Sequence, residues 1–496
     1  MLRRSGILLH PTSLPSATGI GNLGKDCIDF LDFLQESGQS LWHILPLGPT
    51  GYGDSPYQCF SAFAGNPLLI DPQDLVELGL LDADAVKAPA WARRGPVEYG
   101  KVGPWLEELF RKAYAAFRAQ GDTDLAAQFV AFYSLEGWWL HDFALFMTLK
   151  HAHQLRPWWE WEPQWRVREP EAMARLNEER QEEILYHKFL QFLFQRQWDH
   201  VRMAAEERGI RIIGDLPIFV AYDSADVWCW PHYFRLNQDG SLEVKTGVPP
   251  DYFAPTGQLW GNPHYDWHTM QSDNFWWWRS RVHRLMSQVH TVRIDHFRGF
   301  ESAYEIPGDA ETAEFGVWVK SPGDTLFTVL TGAFPALSVV AEDLGVITPE
   351  VSALKNRFNF PGMKIFQFGF LEGNAAFLPH NYEKECVALT GSHDNDTLLG
   401  FLEKQEPTLH ERVFDMLDVK SLDQVPRASL RALWASSANW VVIPMQDWLG
   451  LGTEARMNIP GTLGGNWRWR LGKRYRNRKD EVWLKQLGDI YERNSG

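Results

Sequence analysis

Cysteine is scarce: the 496 residues contain four, Cys27, Cys59, Cys229 and Cys386, and no two stand at CxxC spacing. Such isolated thiols read as buried or inert groups of a reducing compartment rather than as a disulfide framework or a zinc site. Positive charge is also short. Lys and Arg number 48 against 63 Asp and Glu, for a net charge of -15, which argues against nucleic acid or an anionic membrane as partner, because both reward basic patches. No apolar run approaches the ~20 residues that span a bilayer. After Arg3-Arg4, the run from Ile7 to Leu9 stops at His10-Pro11, too short for a signal peptide, so a cytoplasmic location is expected. Fixed-period repeats and low-complexity tracts are missing. So are calcium loops of the DxDxDG type, and His296 and His393 lack any HExxH-like spacing.

What is present is a series of short apolar or β-branched runs, each followed by polar punctuation. They are Ile7 to Leu9, Leu41 to Leu45, Ile210 to Ile213, Thr291 to Ile294, Leu337 to Val340, Met363 to Phe366, Val387 to Thr390 and Trp440 to Ile443. Nearly continuous apolar runs of this length predict strands covered on both faces, hence a parallel sheet with helices packed around it. Helical patterns lie between them. Cys27, Phe30, Leu31 and Leu34 fall at i, i+3, i+4, i+7, with Gly38 as a stop; Ile184 to Arg208 forms a longer run; and Thr348-Pro349 supplies an N-cap followed by Pro at the first helical position. Eight such units predict an α/β fold, a (β/α)8 TIM barrel, whose active site lies on the loops after the strands.

A barrel needs about 250 residues, so the chain must carry large insertions. One runs from about 63 to 181 and reads as mainly helical, with stretches at Pro104 to Phe117 and Leu125 to Leu149 and a charged segment from Arg166 to Glu183. A second, about 219 to 278, is rich in Gly, Pro and aromatics and reads as loops over the active site. About fifty residues follow the last strand, too few for a C-terminal β-sandwich and a final helix together.

Four strand ends deliver acids: Asp215, Asp295, Glu342 and Asp394. Carboxylates gathered at one rim are the equipment for breaking and remaking a glycosidic bond. Arg293, two residues before Asp295, points to the same strand face, where its charge favours an ionised Asp295. A general acid at Glu342 needs the opposite, a raised pKa from burial or a neighbouring carboxylate. A competing signal, Gly19-Ile20-Gly21-Asn22-Leu23-Gly24, satisfies the dinucleotide pattern GxGxxG. Its approach from Leu9 is long and contains Pro11 and Pro15, and the second strand ends in Leu45-Pro46-Leu47 with no acid for a ribose, so a nucleotide site is not expected. Most of the 24 Trp residues, Trp158, Trp159 and Trp276 to Trp278 among them, read as packing.

Several segments together resemble the amylomaltase (disproportionating enzyme) family of 4-alpha-glucanotransferases, relatives of the α-amylases. They are His10-Pro11-Thr12-Ser13-Leu14-Pro15, Gly51 to Gln58, Ile213 to Ile218, Val248 to Phe253, and the runs around Asp295, Glu342 and Asp394. The resemblance implies Asp295 as nucleophile, Glu342 as general acid/base and Asp394 as the carboxylate that grips the sugar. It further implies substrate contacts from Arg293, His296, His393, Asp215, Ser55, Tyr57, Asp251, Tyr252, Phe253, Gln258, Trp260, Phe368 and Asn466, and a secondary glucan site at Tyr52. Loops 247–262 and 457–467 would then overhang the cleft. The implied substrates are α-1,4-glucans and malto-oligosaccharides, with no metal, no organic cofactor and no β-sandwich domain. Since an α-glucan hydrolase of α-amylase type shares the three acids, the loops must decide whether water or a sugar 4-hydroxyl is the acceptor. Two other classes remain in view: a catalytically dead glucan-binding protein, which has no reason to keep all three acids with Arg293, and a dinucleotide dehydrogenase. Oligomeric state is not legible.

Overall fold

The strand-forming runs close on one another. In the computed structural model, which describes residues 2–250, 255–371, 373–462 and 464–494, the strands in chain order are β1 (Arg4–Leu8), β2 (Leu41–Ile44), β3 (Arg211–Leu216), β4 (Val244–Val248), β5 (Gln258–Pro263), β6 (Thr291–Ile294), β7 (Ser302–Pro307), β8 (Val317–Lys320), β9 (Val339–Ala341), β10 (Gly362–Ile365), β11 (Cys386–Leu389) and β12 (Trp440–Pro444). Eight of them form one sheet in the order β10-β11-β12-β1-β2-β3-β6-β9, every neighbouring pair parallel. The ends of that order meet. The Ala341 N–H donates to the Pro361 carbonyl at 2.8 Å, which brings β9 to the entrance of β10 and closes the barrel. All eight runs picked out in the sequence lie in these eight strands or overlap them.

Alternation along the strands divides their side chains between two cores. Leu8, Leu41, Ile213, Val340, Met363, Ile365, Val387, Leu389, Trp440 and Val442 fill the barrel interior. Ile7, Ile212, Val292, Ala341, Ala388 and Val441 join the larger core under the surrounding helices. On β6 the interior position carries Arg293, whose Nε approaches Met363 Sδ at 3.4 Å. A cation therefore stands where other strands place aliphatic groups.

The helices end as the punctuation suggests. The helix Lys25–Glu36 runs into Gly38 at φ +73, and Gln181–Glu207 into Gly209 at φ +68, left-handed positions that favour Gly. Thr348 caps the helix Pro349–Arg357, its side chain accepting from the Val351 N–H. Leu125 to Leu149 is not one helix but two, Asp124–Leu135 and Gly137–Ala152, with the break at Glu136.

A second sheet, β5-β4-β7-β8, is antiparallel. It did not stand out in the sequence, because β5 contains Gly and Pro, and β4 and β7 mix polar and apolar residues with neither a continuous apolar run nor a strict alternation. Its β4–β5 hairpin lies beside the carboxyl end of β6, where Trp260 meets His296 edge-on with ring centroids 4.9 Å apart.

Candidate active site

Three acids converge where β6, β9 and β11 end. Asp295 directly follows β6 and Glu342 directly follows β9. The two turns are tied together by backbone bonds from Glu342 N–H to Ile294 C=O (2.9 Å) and from Phe297 N–H to Glu342 C=O (3.1 Å). His296, between them, takes a left-handed conformation at φ 48, uncommon for a non-Gly residue and characteristic of sites where surrounding structure dictates the backbone. Its N–H donates to Glu342 Oε2 at 2.7 Å, and Leu344 N–H donates to Oε1 at 3.0 Å. Both oxygens of Glu342 are thereby fixed in direction.

Arg293 is shared. Its Nη1 donates to Asp215 Oδ2 at 2.8 Å and to Asp295 Oδ1 at 2.9 Å. The Asp215 carboxylate is fully buried, whereas that of Asp295 is 27 % exposed, so only the latter faces the cleft. Asp215 also accepts from Tyr57 Oη (2.5 Å) and meets His43 Nε2 (2.9 Å). Burial would raise the Asp215 carboxyl, but Arg293 and His43 outweigh it and hold it well below the usual range. At Asp295 the balance reverses: burial raises the carboxyl, and Arg293, its charge divided between two acids and opposed by that of Asp215, does not fully compensate. Arg293 therefore limits the rise without depressing the group, as position on the strand alone had suggested it would. Glu342 is pushed up to about 8 by burial and by the negative charge of Asp295, against the pull of Arg293. It carries a proton at neutral pH.

Asp394 sits on the loop after β11. Its side chain is 47 % exposed, with Oδ2 3.4 Å from His393 Nε2 and Oδ1 accepting from Asn458 Nδ2 at 2.7 Å. Burial acts to raise this carboxyl, but His393, Asn458 and Arg293 hold it at about 2. In return, Asp394 raises His393 despite burial. The His393 imidazole stacks on Tyr57, centroids 4.9 Å apart and planes 19° off parallel. Asp295, Glu342, Asp394, Arg293, His296, His393, Asp215 and Tyr57 thus form one connected group.

The other expected residues are placed as follows. Ser55 Oγ accepts from Tyr57 N–H at 3.2 Å, holding that turn. Gln258 accepts from Trp260 Nε1 at 3.3 Å, and the Trp260 ring reaches the catalytic loop through His296. Phe368 packs edge-on against Phe377 above the barrel interior. Asn466 is turned into its own loop, accepting from Ile459 N–H at 3.1 Å and donating to Thr462 C=O at 3.2 Å. Tyr52 stands apart, 73 % exposed. Asp251, Tyr252 and Phe253 lie outside the described residues. The GxGxxG run is packed on itself and its neighbours: a Cβ on Gly21 would lie 1.9 Å from Pro11 O, and one on Gly24 2.0 Å from Asp71 Oδ2. Its glycines serve close approach of the chain to itself.

Four participants were not singled out in the sequence. His43 has a signal that alternation could have found: it shares the inward face of β2 with Leu41, so a polar ring enters the barrel. Asn458 has only its place in the 457–467 loop and Arg456 has no signal, since Arg456 Nη2 reaches the Asp394 carbonyl (2.7 Å) and its Nε the Asn458 carbonyl (2.7 Å) only through the fold. Trp467, at φ 63, brings its ring within 6.0 Å of Tyr57 and 5.9 Å of His393.

Known proteins resemble this chain over nearly its whole length. The family model described as 4-alpha-glucanotransferase matches residues 9–474. A 4-alpha-glucanotransferase from Thermus thermophilus is 48 % identical over 95 % of this chain and 95 % of its own, and one from Synechocystis is 45 % identical over 94 % of each. Among solved structures, an amylomaltase from Streptococcus agalactiae in complex with acarbose superimposes with a TM-score of 0.95 at 36 % identity, covering 99 % of both chains.

Proposed function

The chain belongs to the 4-alpha-glucanotransferase family, and on that premise we propose how its residues divide the transfer of α-1,4-glucan segments by a retaining double displacement. Asp295 attacks the anomeric carbon of the donor while Glu342 gives its proton to the departing 4-oxygen, so that one glycosidic bond breaks as a glycosyl–Asp295 ester forms. Glu342, now ionised, then takes the proton from the 4-hydroxyl of an incoming glucan or glucose. That oxygen attacks the anomeric carbon, Asp295 leaves, and Glu342 is protonated again. Asp394, low in pKa and half exposed, accepts hydrogen bonds from the ring hydroxyls as the oxocarbenium-like state develops.

The observation that supports this division of labour is geometric: the partly exposed Asp295 carboxylate faces the cleft with Oδ1 held by Arg293 Nη1 at 2.9 Å, while Glu342 is held through both oxygens by the N–H groups of His296 and Leu344, with burial and the charge of Asp295 raising its carboxyl. Asp215 acts from beneath, anchoring Arg293 and Tyr57. Ser55 and Tyr57 contact the acceptor, Gln258 and Trp260 belong to the loop that keeps water from the ester, Phe368 stands near the cleft, and Tyr52, 73 % exposed, offers a ring face to a second glucan.

Maltotriose tests the transfer. Glucose together with chains longer than maltotriose is the expected product pattern; exclusively shorter products would assign the site to a hydrolase. Asp295→Asn is expected to lower transfer by at least about three orders of magnitude with an unchanged circular dichroism spectrum, and retained activity would remove Asp295 from the nucleophile's role.

A further inference from the structure

Away from the barrel rim, the segment between β2 and β3 brings together three groups that the glucan chemistry does not use. His151 lies at the end of the helix Gly137–Ala152, and Glu183 and His187 lie one turn apart on Gln181–Glu207. One ligand atom from each falls within 4.8 Å of the other two. His187 Nε2 and Glu183 Oε1 are 3.4 Å apart, close to the edge of a tetrahedron with metal–ligand bonds of about 2.0–2.1 Å.

The His187 ring is 4 % exposed, and its Nε2 has no hydrogen-bond partner. A buried polar nitrogen aimed at a carboxylate without bonding to it is an unsatisfied group. Glu183 is already oriented: Arg111 Nη1 and Nη2 donate to its two oxygens at 2.6 and 2.5 Å. The guanidinium itself lies 3.6 Å from the centroid of the Tyr186 ring, with Nε held by Glu107 at 2.7 Å. Each carboxylate oxygen keeps a second lone pair, and an outer hydrogen bond of this sort fixes a metal-binding carboxylate in direction. Two acids against one guanidinium leave local charge of the sign that attracts a cation. His151 is exposed, its ring perpendicular to that of His187 with centroids 5.0 Å apart, so a rotation of its side chain completes the set.

We propose that His151, Glu183 and His187 bind a divalent transition-metal ion of the zinc type, with water completing the shell on the exposed side. Two imidazoles and one carboxylate suit zinc, whereas calcium and magnesium take oxygen ligands. The ion joins Gly137–Ala152 to Gln181–Glu207, the helix that leads into β3, and takes no part in transfer.

The full chain, dialysed against EDTA and then freed of it, is titrated with zinc chloride and with magnesium chloride while thermal unfolding is followed. Zinc at micromolar excess raises the melting temperature and magnesium at the same concentration does not; cobalt(II) in place of zinc gives the visible absorption of a four-coordinate site. His151→Ala, an exposed change, unfolds like the parent in EDTA, weakens zinc binding at least about tenfold, and leaves maltotriose disproportionation in EDTA unchanged. His151→Cys, which restores a ligand, recovers zinc binding. Absence of a zinc-specific shift, or equal zinc binding by the parent and His151→Ala, overturns the proposal.

Discussion

Glu342 and Asn458 show how far a single side chain controls this cleft. Burial and the charge of Asp295 push the Glu342 carboxyl up to about 8 from an ordinary value of 4.5. Between those values the native state holds a proton that the unfolded chain has released, so stability falls as pH rises through this window. Glu342→Gln, which stays neutral but can accept only one of the two backbone N–H bonds, is expected to inactivate the enzyme and to lose less melting temperature than the parent between pH 5 and pH 8. The parent should lose transfer on an alkaline limb near pH 8 as the acid loses its proton. Asn458→Ala removes a hydrogen bond to the charged Asp394; such bonds contribute about 1.5–3 kcal/mol, so a fall in kcat/KM of about ten- to a hundredfold with maltotriose is expected. The rim carboxylates were legible because each follows a buried run. Asn458 was not, since its partner is 64 residues away in the chain, and neither was the sharing of Arg293, which depends on a second acid, Asp215, from another strand.

Among the elements, legibility followed burial. The eight barrel strands are covered on both faces and so write themselves as apolar runs. β8, exposed at all four positions, and β5, with its Gly and Pro, follow no such rule. Close approach between strands is set by residues that apolar patterning overlooks. A Cβ added to Gly6 would stand 2.0 Å from the Leu41 carbonyl oxygen and 2.4 Å from its Cβ, so β1 and β2 could not keep their register. Gly6→Ala is expected to destabilise the protein by about 1–3 kcal/mol or more, measured by urea unfolding, with residual activity falling in proportion to the folded fraction. The helix break at Glu136 is marked in the sequence only by Glu136-Gly137 between apolar stretches, Gly being a poor helix former; the buried Trp139, whose indole donates to Glu136 at 2.5 Å, holds the start of the second helix.

For the whole molecule, the closing contacts are made by polar groups at the far end of the chain. Arg493 is fully buried and donates to the carbonyls of Leu433, Trp434, Ser436, Ala438 and Asn439, and at 3.4 Å to Arg4. Arg493→Met would leave several buried acceptors without donors, at about 1–3 kcal/mol each. A marked fall in melting temperature is expected, with the transfer chemistry of the surviving folded enzyme unaltered. Arg493 carried no sign of this in the sequence, because a lone Arg near a chain end usually reads as solvated. Among the described residues no helix is long and apolar enough to cross a membrane, in keeping with the shortage of apolar runs.

The pairing of β1 with β12, Arg4 opposite Trp440, carries a consequence for biosynthesis. As the ribosome delivers the chain, β1 keeps one open edge while ten other strands and nearly all the helices emerge. The barrel is sealed only when Trp440–Pro444 leaves the exit tunnel. Until then the nascent sheet presents unpaired N–H and C=O groups along β1 to its surroundings, an edge open to pairing with another chain for as long as synthesis lasts.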